Sequence, residues 1–188
     1  KQLIDLTYHC ILSGTRKLQE RTTYYIFQEY ARSGLFERIY LVSNPQLESV
    51  LGDVPIIGYN DRLNQLIVSS FHMINIYNNN KPVIESSAEP REHTRISTIG
   101  VSNLDNEKSM FFPLDNIKEV KYYYAINREK LETDGTLMRR ITENVKKEQD
   151  IDVSYGVYAT EYADDYVYFV ANSSMIQYRE SEKKSLQI

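Results

Sequence analysis

The sequence predicts an α+β fold: an antiparallel sheet with helices along it and a long N-terminal helix packed alongside. Three observations carry this. Apolar residues recur at helical spacing in separate stretches: Leu3, Leu6 and Cys10; Leu63, Leu66, Ile67 and Ser70; Leu137, Met138, Ile141 and Val145. β-rich runs lie between and after them, EVKYYYAIN (119–127) and DVSYGVYATEY (152–162) being the clearest. No regular strand–helix–strand rhythm supports a doubly wound parallel sheet.

Taken in order, residues 2–33 read as one helix. Leu18 and Tyr25 extend its stripe, Ser13-Gly14 can kink it, and Arg32-Ser33-Gly34 stops it. LFERIYLVSN (35–44) is a short strand or a helical turn. Pro45 opens a short helix through Leu51, and 52–58 is irregular. Asp61 caps a helix over 62–72. MINIYNNNKPVIESS (73–87) reads as a hairpin, its three Asn making the turn. Residues 88–92 form a loop, RISTIGV (95–101) a strand and 104–108 a polar loop. SMFFP (109–113) and 119–127 are two more strands. In the latter, Val120, Tyr122, Tyr124 and Ile126 share one face, and Lys121, Tyr123 and Asn127 the other.

Thr133 or Asp134 caps the next helix, whose outer face carries Arg139, Arg140, Glu143 and Lys147 as solvated surface. In the run after it, Val153, Tyr155 and Val157 oppose Ser154, Tyr158 and Thr160. YVYFVA and SMIQYRE follow, and SEKKSLQI closes as a tail. The whole reads as a single domain over 1–188, or as two lobes over about 35–131 and 132–181.

Composition narrows the function. The chain has 188 residues, 41% hydrophobic and 26% charged, which suits a domain that buries its own core. A net charge of -4 argues against nucleic acid as a partner. Neither GxGxxG nor GxxxxGK[ST] occurs, so the commonest phosphate-binding loops are missing. One cysteine, Cys10, excludes an internal disulfide framework and a Cys-rich zinc site. No cofactor is implied. No apolar run reaches the ~20 residues that cross a bilayer. The chain opens on Lys1, not Met, and reads as an excised piece, so a membrane anchor in the parent stays open.

EYADDYVYF (161–169) contains the Tyr-Ala-Asp-Asp found on the catalytic hairpin of reverse transcriptases. Two-metal chemistry needs a further carboxylate, with the metals about 4 Å apart. Asp164-Asp165 between two β-rich runs reads instead as a hairpin turn. The three histidines, His9, His72 and His93, show no HExxH or paired spacing. Asn172-Ser173-Ser174 is a glycosylation sequon, relevant only in a eukaryotic secretory setting. Tyr122-Tyr123-Tyr124 is the densest aromatic cluster among 16 tyrosines. It reads as core packing, or as one wall of a polar-aromatic pocket.

Two segments resemble the Cache domains, PAS-like extracytoplasmic sensors of bacterial histidine kinases, chemoreceptors and membrane-bound transcription regulators. SSFHMINIYNNNKPVIESS (69–87) is similar to the first sheet hairpin of such a sensor, and VYFVANSSMIQYRES (167–181) repeats the pattern. VKYYYAINREKL (120–131) resembles the strand-to-helix passage that closes a sensor lobe. The resemblance implies a PAS-like antiparallel sheet and a non-catalytic sensory domain on the extracytoplasmic face of a bacterial membrane. Its partner would be a small-molecule ligand or a protein, and it could form a homodimer. Tyr77, His93, Arg95, Tyr122 and Tyr124, placed near strands that would face one pocket, are the expected ligand-binding residues. Tyr and His can stack and donate hydrogen bonds, and Arg can grip a carboxylate. The alternatives are a cytoplasmic regulatory protein-interaction domain and a metal-dependent nucleic-acid enzyme fragment using Asp164 and Asp165.

Overall fold

The computed structural model describes residues 14–88, 91, 93–104, 109–148 and 150–178, with side chains from Arg21 onward. Twelve elements are found among them: α1 (Gly14–Arg32), β1 (Ile39–Tyr40), α2 (Asn44–Leu51), α3 (Tyr59–Asn78), β2 (Ile84–Ser86), β3 (Ile96–Ser102), β4 (Ser109–Met110), β5 (Ile117–Asn127), α4 (Arg128–Thr133), α5 (Leu137–Lys146), β6 (Asp152–Thr160) and β7 (Tyr166–Ser173).

The strands form one sheet in the order β1-β3-β7-β5-β6-β2, with β4 beside β3. The sheet is mixed, which corrects the antiparallel expectation. β1 runs parallel to β3, and β5 parallel to β6 over nine register pairs from Glu119↔Asp152 to Asn127↔Thr160. The β5-to-β6 passage runs through α4 and α5, and such a helical crossover is what a parallel pair needs. The alternation that identified both strands says which face each residue takes, not which way the neighbour runs.

Helices cover both faces. One core joins α1 and α5 to the sheet through Ala31, Leu137, Ile141, Tyr122, Tyr124, Ile126 and Phe169. The other joins α2 and α3 through Leu47, Leu63, Ile67, Ile74 and Tyr77 to Ile99, Tyr123, Ala125 and Val170. The tyrosine triplet therefore divides as its alternation requires, Tyr122 and Tyr124 into one core and Tyr123 into the other. The long N-terminal helix is described from Gly14; Leu3, Leu6 and Cys10 lie outside the described residues.

Two further expectations are corrected. MINIY (73–77) is helix, not strand. Leu63, Ile67, Ser70, Ile74 and Tyr77 make one continuous buried stripe, so burial extends α3 to Asn78 against the β propensity of its last turns. The helix also starts earlier than expected, with Gly58 rather than Asp61 at its N-cap. β2 then pairs with β6 across the sheet, not with the preceding segment.

Asp164-Asp165 is not a hairpin turn either. β6 and β7 are not neighbours, because β5 lies between them. The Tyr-Ala-Asp-Asp segment instead passes over the end of β5.

Candidate functional site

Strand register collects polar side chains into a row at one end of the sheet. Ser97 on β3 lies opposite Asn172 on β7, Asn172 opposite Glu119 on β5, and Glu119 opposite Asp152 on β6. The Asn172 carboxamide is the hub. Its Oδ1 accepts from Ser97 Oγ at 2.7 Å and Arg38 Nη1 at 2.5 Å, and its Nδ2 donates to Glu119 Oε2 at 3.3 Å. Glu119 also accepts from the Arg91 backbone N–H and the Thr94 hydroxyl. Arg91 in turn pairs with Asp152, and that hydrogen bond holds the Asp152 carboxyl below the usual carboxylate range.

Beside the row, α3 ends and leaves the sheet face open. The Asn78 side-chain oxygen accepts from Lys121 Nζ at 3.0 Å and Tyr123 Oη at 2.8 Å. Lys121 Nζ also lies 5.1 Å from the Tyr123 ring centroid, and burial lowers its pKa. The result is a cleft of about 280 Å³, walled by Arg38, Lys121, Tyr123, Asn78, Glu119 and Asn172 among others. It offers hydrogen-bonding groups of both charges. Among the described residues no group of three His, Cys, Asp or Glu side chains could hold a metal ion.

The five residues expected to line one pocket are distributed over three places. Tyr77 is buried under α3, its ring 4.6 Å from that of Tyr158 and 6.4 Å from that of Tyr123, and its hydroxyl has no hydrogen-bond partner. Tyr122 and Tyr124 lie in the opposite core, where the Tyr122 hydroxyl donates to Glu148 Oε1 at 2.8 Å. His93 and Arg95 are brought together, with Gly34, Arg38 and Arg91, around a surface hollow of about 480 Å³. Gly34, at φ 84°, lets the Arg95 guanidinium lie against the backbone; a Cβ there would sit 2.5 Å from Nη1.

The polar row itself escaped sequence reasoning. Its one legible signal was charge inside a strand, Glu119 and Lys121 on the same face as Tyr123. Asn172 looked like a sequon, but it is buried in β7 and its carboxamide is engaged in the row.

The Tyr-Ala-Asp-Asp segment also gains a defined role. Asp165 Oδ1 accepts from the Asn127 backbone N–H at 3.0 Å, and Oδ2 pairs with Lys130 on α4. Asn127 caps α4, accepting from Glu129 N at 2.9 Å, and donates to the Tyr162 carbonyl at 2.7 Å. The segment thus fastens the β5–α4 junction, while Asp164 is exposed.

On the surface, Ile56 and Ile57 are 94% and 92% exposed. They occupy the α2–α3 loop between Gly52 and Gly58, both at positive φ.

No protein-family model and no curated protein matches the sequence. Solved structures do share its fold. A GDP-form protofilament of TubZ from Bacillus thuringiensis serovar israelensis aligns with a TM-score of 0.58 at 14% identity, over 92% of this chain and 55% of the TubZ chain. An FtsZ dimer from M. jannaschii aligns with a TM-score of 0.55 at 11% identity, over 78% of this chain and 50% of FtsZ. CetZ from Methanosaeta thermophila aligns with a TM-score of 0.50 at 16% identity, over 79% of this chain and 45% of CetZ. The chain thus spans about half the length of these solved chains. Homo-oligomers recur among them, as the FtsZ dimer and the TubZ protofilaments.

These neighbours overturn the Cache resemblance. The 69–87 segment that carried it is the end of α3 followed by an edge strand, and the mixed sheet is that of FtsZ and TubZ. The reading as a membrane-bound sensory domain rested on that resemblance and falls with it. So does the extracytoplasmic location. Among the described residues no helix is long and apolar enough to cross a membrane.

Proposed function

We propose that this chain is a self-associating domain of a filament-forming protein, built on the fold it shares with FtsZ and TubZ. The observation that carries the reading is the extent of the likeness: 92% of the chain superposes on TubZ structures described as protofilaments. The exposed Ile56-Ile57 pair supports it. Two branched apolar side chains held almost wholly in water on a short loop suit burial against another copy.

Guanine nucleotide enters the reading as an effector of assembly, since the TubZ protofilaments are described in GTPγS and GDP forms. This sequence carries neither GxGxxG nor GxxxxGK[ST]. The contacts between copies are assigned to residues of this chain, and phosphate release reports any GTP turnover.

The test is sedimentation velocity over a concentration series, with negative-stain microscopy and phosphate release, each in GTP, GTPγS, GDP and no nucleotide. Concentration-dependent assemblies are expected, weakened by Ile56→Ser with Ile57→Ser at an unchanged melting temperature. A monomer under every condition overturns the reading.

A further inference from the structure

The outer face of α3 is unlike the rest of the surface. Between Arg62 and Lys81 there is no Asp, Glu, Lys or Arg, in a chain that is 26% charged. This is not an effect of burial alone. Asn64, Gln65, Val68, Ser69, His72, Asn75 and Asn79 are all exposed, and Val68 is 61% exposed. Gln65, Val68, His72, Asn75 and Asn79 recur at alternating spacings of three and four, so they form one stripe along the helix. At 1.5 Å per residue the stripe is about 21 Å long. Depletion of charge around an apolar residue marks the centre of protein interfaces rather than free surface.

We propose that this stripe is a two-fold contact between two copies of the chain, with their α3 helices antiparallel and crossing near His72. The inference rests on the self-association reading above and names one of its surfaces. Charge at the two ends of the stripe selects this occupant and this direction. Asp61 is exposed in the first turn of α3, in line with Gln65 and Val68, and Lys81 is exposed just beyond its C-terminus. Neither has an ion-pair partner among the described residues. An antiparallel pair centred midway between positions 61 and 81 sets Asp61 of each copy against Lys81 of the other, twice over. It also opposes the two helix dipoles. A parallel pair would set like charge against like.

The stripe between those ends is self-complementary. Each Asn and Gln carboxamide both donates and accepts, so identical faces can satisfy one another, as a lysine or glutamate stripe could not. A single helix pair is a small interface, so the association is weak and concentration-dependent.

The experiment uses the full chain. In a Cys10→Ser background, single cysteines at Ser69, His72 and Asn64 are oxidised and run without reductant. Disulfide-linked dimers are expected for Ser69→Cys and His72→Cys, close to the axis, and not for Asn64→Cys. In parallel, Lys81→Glu and Asp61→Lys should each weaken the dimer about tenfold, and the double charge swap should restore it. Lys81 lies outside the helix, so that variant is insulated from any loss of helix stability. The dimer should also survive Ile56→Ser with Ile57→Ser. If the chain assembles but no cysteine cross-links and the swap has no effect, the α3 contact is wrong and the filament reading stands. If the chain is monomeric throughout, both fall.

Discussion

Gln28 on α1 and Gln177, after β7, exchange two hydrogen bonds in the buried interior. The Gln177 backbone N–H donates to Gln28 Oε1 at 2.7 Å, and Gln28 Nε2 donates to the Gln177 carbonyl at 3.2 Å. A glutamine side chain here takes the place of a strand neighbour. Gln177 does the same for Asp115: its Oε1 accepts from Asp115 N at 2.7 Å, and its Nε2 donates to the Asp115 carbonyl at 3.2 Å. Two amides thus tie a helix, a loop and the segment after the last strand together without regular structure.

Gln28→Leu keeps the bulk but orphans a buried N–H and a buried carbonyl. It is expected to lower unfolding free energy by about 2–4 kcal/mol. Gln177→Leu should cost a similar amount. The double variant should cost less than the two together, since both act on one network. Urea unfolding of the three proteins measures this; strict additivity would mean the two amides act independently.

Asp165 supports the fold through the Asn127 backbone N–H and Lys130. Asp165→Asn keeps an oxygen for the Asn127 N–H and loses only the pair with Lys130. About 1 kcal/mol is expected to go, whereas Asp165→Ala loses both contacts and about 2–3 kcal/mol. Asp164→Asn should be silent. Melting curves with and without Mn²⁺ check the point, and a shift in the wild type that Asp165→Asn abolishes would revive metal binding.

The buried tyrosines should respond oppositely to loss of their hydroxyls. Tyr77→Phe removes a polar atom that has no partner, and is expected to be neutral or stabilising by about 1 kcal/mol. Tyr122→Phe removes a charge-assisted bond to Glu148 and should cost about 1.5–3 kcal/mol. Thermal unfolding of the pair decides; equal losses would mean that Tyr77 finds a partner in solution.

Lys121 gives a pH dependence. Burial lowers its pKa in the folded chain, so the unfolded chain binds its proton more tightly. The penalty on folding stands in full below the depressed value. It is relieved as pH rises from there towards the ordinary lysine value, about 10.4. Lys121→Met should therefore gain most over wild type near neutral pH, with the gap narrowing towards pH ~10. Urea midpoints across that range would show it, and a constant gap would place the effect in packing instead.

The split of Tyr122 and Tyr124 from Tyr123 was legible in the sequence because a strand's side chains alternate whatever its partner. The α5 stripe was legible in part for the same kind of reason: Leu137 and Ile141 are buried at helical spacing, whereas Met138, read onto the same face, is exposed and Val145 only half-buried. MINIY was misread because its β-rich composition is a local preference. The buried stripe from Leu63 to Tyr77 outweighs that preference once the sheet is there to receive it.

The sequence by itself determined the bounds of α2, the helical period of α5, though it is capped at Thr136 and not at Thr133 or Asp134, and which face each residue of β5 and β6 takes. These follow from local periodicity, which is written in neighbouring residues. Tertiary structure alone decided that β5 lies between β6 and β7 and runs parallel to β6. It thereby turned Asp165 from a hairpin residue into a clamp on Asn127, and set Ser97, Asn172, Glu119 and Asp152 in one row. The physical reason is that strands pair through backbone N–H and C=O groups, which are the same at every residue and carry no address.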